Sequence, residues 1–189
     1  MNDLKPVSFL VPVIALILVV VLFIFLLKES GNKAAFKRFT FIVTGLAFLL
    51  NFAWEVIQMP LYKGASYDIQ QIAFCALASM ADAIMVLMIC FVFALIYKDP
   101  FWTRDLTWQR ILNLMMVGGL GAIGAEIIHL SSGNWAYARS MPIIPVVNAG
   151  LSPVLQFMIL PGLIYYLSFQ ILERIKTKKK TQFIQSKNK

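Results

Sequence analysis

The chain has 189 residues, 60% of them hydrophobic and only 14% charged, with a mean hydropathy of +0.77. Those proportions exclude a soluble globular domain and leave room for about five or six spans of roughly 20 residues with short connections. The net charge of +8 would suit nucleic-acid binding, but the cations sit in short connections and at the C-terminal end, where they orient a membrane protein instead.

Residues 8–27 form an apolar run without an ionisable side chain, followed at once by Lys28, Glu29 and Ser30. The run is too long for a signal-peptide core and no small-residue cleavage site follows it, so a retained anchor is expected. The second span, 39–59, begins after Lys37 and Arg38 and ends where Pro60 removes a backbone donor. Spans at 72–97, 109–130 and 148–172 bring the expected number to five. A sixth stays open if part of 135–147 dips into the bilayer. The chain thus reads as an all-α polytopic membrane bundle over residues 1–173, with 174–189 a basic cytoplasmic tail lying disordered on the anionic leaflet.

Lys and Arg set the orientation. Lys28, Lys33, Lys37 and Arg38 follow the first span, Lys98, Arg104 and Arg110 follow the third, and the tail carries seven more, from Arg174 to Lys189. The alternate segments hold Lys5, Lys63 and Arg139, one each. The N-terminus is therefore expected outside and the C-terminus in the cytoplasm.

With that topology the unusual polar residues fall at one depth. Asn51, Glu55 and Gln58 recur at i, i+4 and i+7 on one face of the second span, beside Trp54. Glu126 lies about one turn from the outer end of the fourth span, with His129 three residues on. A rise of about 1.5 Å per residue puts both glutamates roughly 6 to 8 Å below the outer boundary. Asn148, Ser152 and Gln156 form a further stripe on the fifth span, while Asp82 lies deeper on the third. Ionisable groups in lipid are costly unless paired or hydrated, so they face the bundle interior and mark function. The alternative is a polar lock, in which Glu55 bonds Asn148 or Gln156 to hold helices together. For Asp82, flanked by small residues, close packing is an equal alternative.

Gly118, Gly119, Gly121, Gly124 and Ala125 make the fourth helix thin, which suits helix contact. Glu126 and His129 match the Glu-x-x-His spacing of di-iron bundles, but those need two such motifs, and the chain has one His. A metal site from Glu55, Asp82, Glu126 and His129 stands only as a minor alternative, so no metal ligand is assigned and the cofactor is unknown. Cys75 and Cys90 are too far apart on one helix to bridge. Trp135, Tyr137 and Arg139 alternate, as in an extended strand, which would turn all three the same way.

The elements Asn51-Phe-Ala-Trp54-Glu55-Val-Ile-Gln58-Met-Pro60-Leu-Tyr62, Ala81-Asp82-Ala83, Ala125-Glu126, Trp135-Ala-Tyr137, Met141-Pro142 and Gly150-Leu151-Ser152-Pro153-Val-Leu-Gln156 resemble those of a group of small uncharacterised bacterial integral membrane proteins. The resemblance covers about 51–161 and implies a shared site and a bacterial inner membrane, without an activity. In chemistry alone the chain is similar to emopamil-binding-type sterol isomerases and membrane carotenoid cyclases. These also place acids and aromatics in an apolar cavity among about five helices, with no residue-by-residue match here.

The expected function is a membrane-embedded enzyme of isomerase, cyclase or hydratase type. It would use buried carboxylates for acid/base chemistry on an apolar, lipid-like substrate reached from the outer half of the bilayer. Glu126 is the expected proton donor, Glu55 its partner or the base, His129 a relay and Asp82 a further acid. Trp54, Trp135 and Tyr137 would line the pocket, Arg139 would hold a polar or anionic head group, and Asn51, Gln58, Asn148, Ser152 and Gln156 would bind substrate. The alternatives are a small ion- or proton-coupled transporter, with prolines near span ends supplying broken helices, and a non-catalytic assembly partner. Membrane lipids and the lipid-like molecule are the expected partners, a homo-oligomer is left open, and nothing requires nucleic acid.

Overall fold

The computed structural model describes residues 10–187, and side chains over 12–178. Lys5, Ser8, Phe9 and Lys189, which entered the expectations above, lie outside the described residues.

Five helices carry the fold: α1 (Leu10–Glu29), α2 (Lys33–Gln58), α3 (Ile69–Ile96), α4 (Trp108–Ser131) and α5 (Leu151–Lys187). All five are long and apolar enough to cross a membrane, and many large apolar side chains face outward, among them Phe41, Leu49, Met80 and Leu120. This is an all-α integral membrane protein. The connection 132–150 holds turns and a two-residue hairpin, β1 (Ile143–Ile144) against β2 (Ala149–Gly150), and no sixth spanning helix.

Helix starts follow local capping. α2 begins at Lys33, ahead of the expected 39, because the Asn32 side chain accepts from the Ala35 N–H, and a capped first turn extends the helix back to its cap. Asp68 does the same for α3 through the Gln71 N–H at 2.9 Å. Its carboxyl is held below the usual range by hydrogen bonds from the Ser66 hydroxyl and the Gln71 N–H. At Pro60 α2 gives way to a single 3₁₀ turn, Met59–Leu61.

Two expectations about the fifth span are corrected. It starts at Leu151, not at 148, because Val146 and Asn148 take φ of 78° and 52° in the hairpin turn. That left-handed region breaks a right-handed helix, and Asn tolerates it better than most residues. At the other end α5 continues to Lys187, so the tail expected to be disordered is helical there.

α1 packs on α3, α3 on α2, α2 on α5 and α5 on α4. Cations of the 28–38, 98–110 and 174–178 segments lie at one end; the 62–68 and 132–150 connections lie at the other, the end that the Lys and Arg distribution assigns to the outside. The inner half is a dense aromatic core. Phe36, Phe39, Phe91 and Trp102 are all but inaccessible, the Trp102 indole donates to the Cys90 carbonyl at 3.0 Å, and the Tyr165 hydroxyl donates to the Val86 carbonyl at 2.6 Å.

The α4–α5 contact has a specific cause. Pro161 lies inside α5 and has no N–H, so the Phe157 carbonyl four residues earlier lacks its helical donor. That carbonyl occupies the space where a Cβ at Gly118 would stand, so only glycine admits it. Gly119 packs on Met158, whereas Gly121 and Gly124 meet nothing within 4 Å. The thin face of α4 is therefore a helix contact over Gly118 and Gly119 only. Lipid tails are as apolar as the helices, so such close approach, more than hydrophobic burial, holds membrane helices together.

At the outer end the chain crosses over itself. Tyr62 pairs with Tyr137 in an antiparallel bridge, with Lys63 N donating to Ala136 O at 2.8 Å and Ala138 N to Leu61 O at 2.9 Å. Trp135 to Tyr137 thus form the extended segment that their alternation predicts.

Candidate functional site

The polar residues form a lock between helices and the wall of a cavity, and Glu55, Gln58, Asp82 and Gln156 belong to both. Gln156, on α5 and 1% exposed, is the hub of the lock. Its Nε2 donates to Asn51 Oδ1 at 2.9 Å and to Asp82 Oδ2 at 3.0 Å, while its Oε1 accepts from Gln58 Nε2 at 3.2 Å. One side chain therefore ties α5 to α2 and α3. Gln58 Nε2 also donates to Glu55 Oε1 at 2.9 Å. Ser152 donates to Gln58 Oε1 at 2.8 Å and accepts from the Trp54 indole at 3.3 Å. The i, i+4 pair Ser152 and Gln156 and the α2 stripe meet face to face and pair with each other in a setting where unpaired polar groups are costly.

Beside the lock is a cavity of about 390 Å³. Glu55 and Gln58 come from α2, Cys75 and Asp82 from α3, Glu126 and His129 from α4, and Gln156 from α5. Three carboxyl groups from three helices converge on it.

Glu126 is the best defined of the three. The indole N–H of Trp135 donates to its Oε2 at 3.3 Å, and the Tyr137 hydroxyl donates to the same oxygen. The Tyr137 oxygen in turn accepts the Gly150 N–H at 2.7 Å. A side chain at Gly150 would press on the Tyr137 ring, its Cβ only 3.0 Å from Cζ, so glycine is what lets that backbone donor reach the phenol. An indole N–H can only donate. Oε2 therefore keeps its lone pairs for Trp135 and Tyr137, and when Glu126 carries a proton it carries it on Oε1.

Two tyrosines of the outer connections are shifted. Burial, then the hydrogen bond to Glu126, pushes the Tyr137 phenol up, against a smaller pull down from the Gly150 N–H. Burial, then the charges of Glu126 and Glu55, pushes the Tyr62 phenol up. Both stay protonated at neutral pH, so Tyr137 remains a donor to Glu126.

His129 does not bond Glu126. Its ring stacks on Trp135, centroids 4.3 Å apart, and its Nδ1 meets the Asn134 side-chain amide at 2.7 Å. With Asn134 donating, Nδ1 accepts and the neutral ring carries its proton on Nε2. Among the described residues, no three His, Cys, Asp or Glu side chains stand close enough to share a metal ion. Cys75 is a buried free thiol on the cavity wall, and Cys90 is buried in the inner core.

Several expected positions are corrected. Trp54 does not line the cavity; it packs partly on the apolar core and braces Ser152 from behind. Asn51 and Ser152 belong to the lock, away from the cavity wall. Asn148 sits exposed in the hairpin turn, since the helix that would have placed it in one stripe with Ser152 starts later. Arg139 is exposed and off the wall, because the extended segment ends at Ala138, whose N–H donates to Leu61. The cation at the mouth is Lys63.

Lys63, Tyr62, Phe74, Cys75 and Phe157 are lining residues that sequence reasoning did not select. A signal existed on α3: Phe74, Ala78 and Asp82 recur every four residues on one face. No family model, no curated protein and no solved structure matches the chain.

Proposed function

We propose that the protein is an enzyme of the bacterial inner membrane, with its N-terminus outside. It would use buried carboxyl groups for acid/base chemistry of isomerase, cyclase or hydratase type on an apolar, lipid-like substrate. The observation that carries this reading is the convergence of Glu55, Asp82 and Glu126 on one cavity among membrane-spanning helices. We also place the chain with the small bacterial membrane proteins that it resembles, since the elements of that resemblance include the cavity residues Glu55, Gln58, Asp82, Glu126, Trp135 and Gln156.

In this reading Glu126 donates its Oε1 proton to an alkene carbon or a leaving oxygen, and Tyr137 and Trp135 stabilise the carboxylate that results. For an isomerisation, Glu55 takes a proton from the neighbouring carbon, so the double bond moves and no proton is gained or lost overall. Solvent takes the proton from Glu55 and supplies one to Glu126, so both groups are reset for the next turnover, with the His129 Nε2–H orienting solvent beside the cavity. The faces of Trp135 and Tyr62 stabilise positive charge developing on the substrate. Asp82, held by Gln156, is a positioning residue of the lock.

A carrier is less well supported, since a translocation path needs polar lining through both halves and the inner half is packed with Phe36, Phe39, Phe91 and Trp102. An assembly partner would lose activity when the outer loop is disturbed and keep it when the acids are neutralised.

The test is mass spectrometry of an organic extract of purified wild type beside Glu126→Gln, with metal determination on the same samples. A stoichiometric lipid or isoprenoid whose identity changes between the two is expected and would name the substrate. Full turnover of that lipid by Glu126→Gln would refute the assignment of the proton donor.

A further inference from the structure

α3 and α4 flank the cavity and scarcely pack on each other, because α4 rests on α5 and α3 rests on α1 and α2. At the inner end the gap between them is closed. Leu114, 1% exposed, sits in the core cluster with Val86 and Leu87. Asn113 donates to the Tyr97 hydroxyl at 3.3 Å, and the Arg110 guanidinium lies 4.6 Å from the Tyr97 ring centre.

Towards the outer end the gap opens into the cavity between small side chains: Ala78 of α3, and Ala122 and Ala125 of α4. Ala125 is exposed while its neighbour Glu126 is 5% exposed. One step along the helix therefore leads from the outer surface to the acid. Leu77, next to Ala78 on α3, and Ile128, one turn beyond Ala125 on α4, face outward, so the surroundings of the opening are hydrocarbon. At the aqueous end the Leu61–Lys63 and Ala136–Ala138 pairing crosses over the Tyr62, Trp135 and Tyr137 rings, and Lys63, Gly64, Gln71 and Asn134 line the cavity there, so that end is polar where the seam is apolar.

From this geometry we infer that the α3–α4 seam is a lateral binding groove for one hydrocarbon chain of a membrane lipid, through which the lipid's reactive group reaches Glu126 without passing through water. The inference rests on the proposed function for what happens at Glu126, and not for the route. Its occupant is a lipid chain because the groove lies within the spanning segments, is lined by small apolar side chains and is continuous with a polar cavity of about 390 Å³, large enough for a head group or a ring and too small for a whole diacyl lipid.

Cys75 on the cavity wall supplies the probe. In a Cys90→Ser background in liposomes, its modification by a long-chain N-alkylmaleimide dissolved in the bilayer is compared with that by a sulfonated maleimide added from water. Labelling of denatured protein gives the total thiol. The alkyl reagent is expected to react readily and the sulfonated one poorly. Ala125→Phe or Ala78→Phe should slow the alkyl reagent about tenfold by overfilling the seam. Leu120→Phe, the same bulk on a lipid face of α4 that is 63% exposed, should change nothing. Equal rates for the two reagents, insensitive to Ala125→Phe, would overturn the inference in favour of an aqueous route. Labelling by neither reagent until denaturation would overturn it too, the seam then being closed by a second copy or another protein. None of these outcomes depends on Glu126, so the Glu126→Gln comparison stands or falls separately.

Discussion

Replacing Gln156 with Leu removes the hub of the helix lock while keeping nearly the same volume. Three hydrogen bonds disappear, to Asn51, Asp82 and Gln58, and their partners lie in or beside the buried interior. Interhelical hydrogen bonds in membrane proteins average about 0.6 kcal/mol and reach about 1.7 kcal/mol, so the bonds alone account for about 2 kcal/mol. A buried polar group left unpaired adds about 1–3 kcal/mol. Water from the cavity can replace the partner of Asp82 but not that of Asn51, which is 1% exposed. The expected loss is about 3–5 kcal/mol, a fall in unfolding temperature of about 6–20 °C for a chain of this length. Cys90, buried in the core at 1% exposure, is the natural reporter: in a Cys75→Ser background, a thiol-reactive dye in detergent detects it only on unfolding. Gln156→Glu separates polarity from shape, since it keeps the acceptor, loses both Nε2 bonds and sets another carboxyl beside Asp82. It should be at least as damaging as Leu. Unfolding of both variants at the wild-type temperature would refute the lock.

Gly118→Leu should separate α4 from α5, because the side chain meets the Phe157 carbonyl, a rigid backbone atom that cannot yield. The same dye assay should show destabilisation of about 1–3 kcal/mol or more, with Gly121→Leu, which meets nothing within 4 Å, close to wild type. Tyr137→Phe removes the donor to Glu126 and should cut turnover of the extracted lipid about 10- to 100-fold, the worth of a hydrogen bond to a charged carboxylate, without lowering the unfolding temperature as Gln156→Leu does. Because burial raises the Tyr137 phenol, its neutral form persists as pH rises through the ordinary tyrosine value of about 10. The difference in tyrosinate absorbance between wild type and Tyr137→Phe should therefore develop only above that pH, and development at or below it would contradict the buried hydrogen-bonded phenol. Arg139→Ala should leave turnover unchanged, as its side chain is exposed and off the cavity wall.

Much of the fold was legible because a membrane leaves a chain few choices. A backbone in hydrocarbon must satisfy its own hydrogen bonds, so an apolar run of about 20 residues means a helix. Five such runs yield five helices, and the break at Pro60 appears where the missing N–H requires it. The α2 stripe of Asn51, Glu55 and Gln58 and the pair Ser152 and Gln156 were readable for a similar reason, since helical periodicity determines which residues share a face. Asn148 was misplaced because a left-handed residue in a hairpin turn leaves no mark on hydropathy. Arg139 was misplaced because alternation says which side chains share a side of a strand, but not where the strand stops.

What the sequence by itself determined is the class, the number of spans and which residues share a helix face, all consequences of transfer free energy and local geometry along a single helix. What only the tertiary structure decided is which of two polar faces meets which. Gln156 became a lock and Glu126 a cavity acid, although both are polar residues on outer halves of apolar helices. The difference lies in the neighbours: α5 packs on α2 and α4 packs on α5, leaving α3 and α4 apart. That order is set by close approaches such as Gly118 against the Phe157 carbonyl, and contacts of this kind depend on the shape of two helices together, which no periodicity in either one records.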